Sequence, residues 1–145
     1  MLVSVEDLSK TSLYGEIIQQ ITRGDQESAE LQILAAESLV RSYMSRYDND
    51  AIFGTGESKP TYTGADVELI KKVVKIIASY YLVRLANPNV NIELYRADYE
   101  DSIKWLKDLQ AGLVNPDLPY KPDPGIDAVT GGVWWNSLPK QINFF

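Results

Sequence analysis

The chain changes character at Gly112. Five of its seven prolines lie beyond that residue, and so do two of the three tryptophans and two of the three phenylalanines. Proline fixes φ and offers no backbone donor, so Pro116, Pro119, Pro122 and Pro124 bias residues 115–125 toward extended backbone. Before Gly112 the apolar residues recur at helical steps. The sequence therefore predicts an all-α protein: a small antiparallel bundle over residues 1–113, then an extended, Pro-rich and aromatic C-terminal arm over 114–145.

The expected bundle has three main helices and short N-terminal ones. Ser4 can cap a first turn whose Glu6 and Asp7 suit a helix N-terminus. A second short helix is expected from Thr11 or Ser12 to Gly24, with Leu13, Ile17 and Ile21 on one face. Asp25 can cap the first main helix, expected to run to about Tyr47. Its predicted core face is Leu31, Leu34, Ala35, Leu39, Tyr43 and Tyr47, and Glu37 and Arg41 are spaced as a surface ion pair. Residues 48–63 read as a loop.

A long helix over about 65–86 follows. Its apolar stripe (Val67, Ile70, Val74, Ile77, Tyr81, Leu82, Leu85) is broad enough to make it central. Asn87, Pro88 and Asn89 end it. Asn91 can cap the last helix, whose expected face is Ile92, Tyr95, Tyr99, Ile103, Leu106 and Leu113. Glu100 and Lys104 form a second expected pair, and Gly112 is a natural stop.

Composition narrows the function. With 20 acidic and 14 basic side chains the net charge is −6, which argues against nucleic acid as the main partner. There is no cysteine and no histidine. Disulfides and thiolate metal sites are excluded, and the commonest general base is missing. No apolar run reaches the roughly 18 residues that span a bilayer. The first residues show no basic stretch followed by an apolar one, so a secretory signal is not expected.

Few motifs suggest chemistry. Residues 54–60 superficially resemble a phosphate-binding loop but lack its spacing, and Pro60 stands where a helix should begin. Glu93, Asp98, Glu100 and Asp101 are weighed as a divalent-cation site, and a solvated face laced with Lys104 and Lys107 is the stronger reading. No acid is spaced with a base for catalysis. We therefore expect no enzyme activity, no catalytic residue, no cofactor and no metal. Two features point to partners instead. Lys71, Lys72 and Lys75 make the long helix over 65–86 the most basic. Trp134, Trp135, Phe144 and Phe145 give the arm anchors of the kind that dominate interfaces.

Four stretches then carry a resemblance: residues 5–8 (VEDL), 37–47 (ESLVRSYMSRY), 76–82 (IIASYYL) and 99–112 (YEDSIKWLKDLQAG). In this order they resemble the small phage proteins grouped with the neck protein of phage Mu. Residues 133–140 (VWWNSLPK) resemble that family's tail, with Lys140 where arginine is usual. The resemblance implies a head–tail connector or head-completion protein of the virion, made in the host cytoplasm. Such a protein assembles as a ring of its own copies, between the portal protein and a tail or stopper protein. DNA passes through the ring without sequence-specific binding, and no membrane is involved. The alternative is a non-virion helical binding module that uses the aromatic arm for one partner.

Overall fold

The computed structural model describes residues 1–11, 15–86 and 89–122. Among them the chain forms helices α1 (Val5–Leu8), α2 (Gly15–Thr22), α3 (Gln26–Tyr43), α4 (Asn49–Phe53), α5 (Asp66–Leu85) and α6 (Ile92–Gln110), and no strand. The fold is all-α. Helix α5 is central: it packs against α2, α3 and α6, and α3 also touches α6. Its buried residues occupy most of its circumference, with Ile70, Val74, Ile77 and Leu82 fully enclosed. A helix apolar over so much of its surface has to be surrounded.

The starts follow capping chemistry. The Ser4 hydroxyl accepts from the Asp7 N–H while the Asp7 carboxylate accepts from the Ser4 N–H, closing a reciprocal box. That bond to the Ser4 backbone is the main reason the Asp7 carboxyl sits below its ordinary range. Asp25 and Asn91 accept from the N–H groups two residues on, at 3.1 Å each. The last helix ends at Gly112, whose φ is +81°. The Leu113 N–H donates to the Asp108 carbonyl at 2.8 Å and the Gly112 N–H to the Leu109 carbonyl at 3.1 Å. This is the paired-bond stop that a left-handed glycine permits.

Several expectations are corrected. Helix α3 stops at Tyr43, not Tyr47, and it buries Ala29, Ile33, Ala36 and Val40. The predicted face is divided: Leu31 is 54% and Leu34 46% exposed and Ala35 is exposed, whereas Leu39 and Tyr43 are half-buried against the core and Tyr47, past the helix end, is buried in it. Helix α3 carries two apolar stripes. The inner one is rich in alanine, which scores weakly as hydrophobic yet lets two helix axes approach closely.

The expected Glu37–Arg41 pair is absent. Glu37 is 3% exposed, and its carboxylate accepts from the Leu2 and Val3 N–H groups, so it tethers the start of the chain. Arg41 donates to the Gly54 carbonyl at 2.9 Å and lies over the Phe53 ring. A short helix, α4, interrupts the predicted loop because Ile52 and Phe53 are core residues. On α6 the deeply buried positions are Ser102, Leu106 and Leu109, while Leu113 is 76% exposed. Tyr95, Tyr99 and Ile103 are half-buried against the core. Lys104 pairs with Asp108 at 3.8 Å, not with Glu100. Leu85, expected in the core stripe, is exposed.

Candidate interaction surface

The arm begins as a strap on its own body. Leu118 is buried in the core cluster, and the Asp117 N–H donates to the Asp66 carboxylate at the start of α5. The Tyr62 hydroxyl donates to the Asp117 carbonyl at 2.9 Å. Two further bonds close the strap: Asp48 N–H to the Pro119 carbonyl at 2.8 Å, and Lys121 N–H to the Arg46 carbonyl at 3.0 Å. Tyr120 stacks on Tyr47 with ring centres 5.0 Å apart. Burial, then the neighbouring Tyr120, pushes the Tyr47 phenol above its ordinary pKa. The prolines withdraw donors from this segment, and the Asp117 and Lys121 N–H groups and the Asp117 and Pro119 carbonyls bond to the body, while the Leu118 N–H donates to the Pro116 carbonyl within the strap.

Trp134, Trp135, Phe144 and Phe145 lie outside the described residues. The strap does fix the point from which their segment leaves: Pro122, beside the Tyr47–Tyr120 stack at the end of the bundle where α3 finishes and α5 begins.

The three lysines do not share one face. Lys71 is bridged to Glu68 at 2.8 Å and faces a surface hollow beside Leu2, Lys59 and Tyr62. Lys72 and Lys75 lie on the other side, in a groove between α5 and α6. Two adjoining hollows of about 320 and 200 Å³ make up this groove, sharing Lys72, Ile76 and Asp98. Leu69, Val73 and Trp105 extend its apolar floor. Neither Lys72 nor Lys75 has a carboxylate within ion-pair distance among the described residues. Sequence reasoning grouped the three by type. A helix turns 100° per residue, so neighbours in sequence diverge on its surface.

Among the described residues no three acidic side chains gather where they could hold a metal ion. Asp98 and Asp101 both face the α5–α6 groove. The turn over residues 55–58 is closed by its own bonds: Thr55 N–H to the Ser58 carbonyl at 2.9 Å, and Ser58 N–H to the Thr55 hydroxyl at 3.1 Å. Those donors are already used and do not point at a phosphate. No described helix is long and apolar enough to cross a membrane.

The described residues form a helical bundle with residues 114–122 fastened to one end of it. No protein-family model matches the chain, and no match was found among curated proteins or solved structures.

Proposed function

We propose that this protein is a structural adaptor of the phage neck, a head–tail connector that assembles as a ring of identical copies between portal and tail. The observation that carries this reading is the strap. It fastens residues 114–122 to the bundle through the buried Leu118, the Tyr47–Tyr120 stack and the hydrogen bonds of Asp117, Pro119 and Lys121, so the aromatic segment beyond is presented from a fixed origin. A fixed origin lowers the ordering cost of docking. The ordered set of stretches resembling phage Mu-type neck proteins supplies the setting, and the absence of cysteine and histidine agrees with a structural role.

In this reading the bundle is the wedge of the ring. Trp134, Trp135, Phe144 and Phe145 anchor the arm on a neighbouring copy, the portal or the next tail component. The test is reconstitution: the chain lacking residues 130–145 is assembled with portal-bearing heads, and particles with attached tails are counted. Loss of tail attachment with a folded bundle is the expected result. Normal attachment removes the arm from the interface. A purified chain that binds one partner as a monomer or closed dimer replaces the adaptor with the non-virion binding module.

A further inference from the structure

Two surfaces of the bundle have no partner among the described residues, and they lie on opposite sides of it. The first is the outer ridge of α3, where Leu31 and Leu34 stand exposed among the small residues Ala35, Ser38 and Ser42. Glu27 and Glu30 flank its first half on one side, and the uncharged Ser28 and Gln32 on the other. The second is the α5–α6 groove, bordered at one end by Thr11, with its apolar floor and two lysines that make no ion pair among the described residues. Because α3 contacts both α5 and α6, the three helices form a triangle. The groove opens on the side away from α3.

We infer that the α3 ridge of one copy packs into the α5–α6 groove of the next. Ridges seat in grooves between helices as a matter of course. Leu31 and Leu34 fill the hollows over Leu69, Ile76 and Trp105, and the small residues at 35, 38 and 42 let the helices close up. Glu27 and Glu30 come to the α5 side of the groove, where Lys72 and Lys75 make no ion pair among the described residues and Lys75 has only the longer-range pull of Asp7. The uncharged flank falls on the α6 side, next to Asp98 and Asp101. The occupant is a second copy because ridge and groove match in shape and charge while lying too far apart to meet within one molecule. Such a contact uses different patches on its two sides, so repetition gives a ring if the rotation closes and a filament if it does not. This deepens the adaptor reading and rests on it for closure alone.

The native chain has no cysteine, so introduced ones report contacts cleanly. Copies bearing Leu31→Cys are mixed with copies bearing Ile76→Cys and oxidised. The expected product joins positions 31 and 76 between chains. Preferential joining of two Leu31→Cys copies signals a two-fold α3 pairing and overturns the inference, as does the absence of any 31–76 link. Glu30→Lys and Lys75→Glu should each weaken association about tenfold at low salt, and the double variant should restore it. Leu31→Asp changes an exposed position, so its melting curve should match the wild type while self-association is lost. Wild-type association by Leu31→Asp, or a wild-type chain that stays monomeric at every concentration, overturns the inference. Electron micrographs separate it from the adaptor reading. Rings without the 31–76 link keep the ring and discard this interface. Linked dimers or open chains keep the interface and discard the ring.

Discussion

At the residue scale, Gly112 and Tyr120 show how single positions direct the chain. Gly112 has φ +81°, and a Cβ there would meet Arg46 only at 3.6 Å. The space is adequate, so the cost of a side chain lies in the backbone. Gly112→Val should destabilise the bundle by about 1–2 kcal/mol, read as a shift in the denaturant midpoint. Asn115 also leans on this turn, donating to the Gly112 carbonyl at 3.1 Å, so the substitution should loosen the start of the strap. The Tyr47 phenol responds to pH. Its folded pKa is raised above the ordinary tyrosine value near 10. The neutral form is therefore favoured by folding, and the stability it contributes is complete below pH 10 and lost as the pH climbs past it. The strap should loosen in alkali above pH 10, and Tyr47→Phe should remove its own share of that response in a melting series. The position of Gly112 was legible from its place after a helical run. The Tyr47–Tyr120 stack was not, because a pair 73 residues apart leaves no local pattern.

At the scale of elements, α5 and α3 make an instructive pair. The role of α5 was legible because its apolar stripe is too broad for a surface helix. That of α3 was misread, because Leu31 and Leu34 outweigh Ala29 and Ala36 in any hydropathy pattern, while those two alanines face the core with Ile33 and Val40. A direct comparison tests this account. Ile77→Ala or Leu106→Ala removes fully enclosed volume and should cost about 2–5 kcal/mol. Leu31→Ala, on the exposed ridge, should change the stability of the isolated chain by less than about 0.5 kcal/mol. Equal effects in urea denaturation would contradict the assignment of the α3 faces. Glu37 belongs to the same error. Spacing placed it in a surface pair, but its real partners are the Leu2 and Val3 N–H groups, about 35 residues away in sequence and invisible to a local rule.

At the scale of the whole molecule, the boundary between body and arm falls later than composition suggests. The strap over 114–122 belongs to the body, because it supplies Leu118 to the core and returns hydrogen bonds to Arg46, Asp48 and Asp66. A chain ending after Pro122 should melt close to the full-length protein. A chain ending after Gly112 should lose about 2 kcal/mol or more, from the exposure of the Leu118 pocket and the loss of the tyrosine stack. Calorimetry of the two truncations decides it: equal melting temperatures would return the strap to the arm.

The sequence by itself determined the helical class, the caps at Ser4, Asp25 and Asn91, the stop at Gly112, the central place of α5 and the lack of helix over residues 113–122. Each of these follows from interactions within a few residues or from a strong period, both of which are written in the order of the chain. Only the tertiary structure decided which stripe of α3 turns inward, where Glu37 finds its partners, how the three lysines divide between two faces, and that residues 114–122 fold back onto the bundle. These depend on what stands opposite each side chain. Packing at close range rewards the surface that fits, and fit between elements distant in sequence has no local signature.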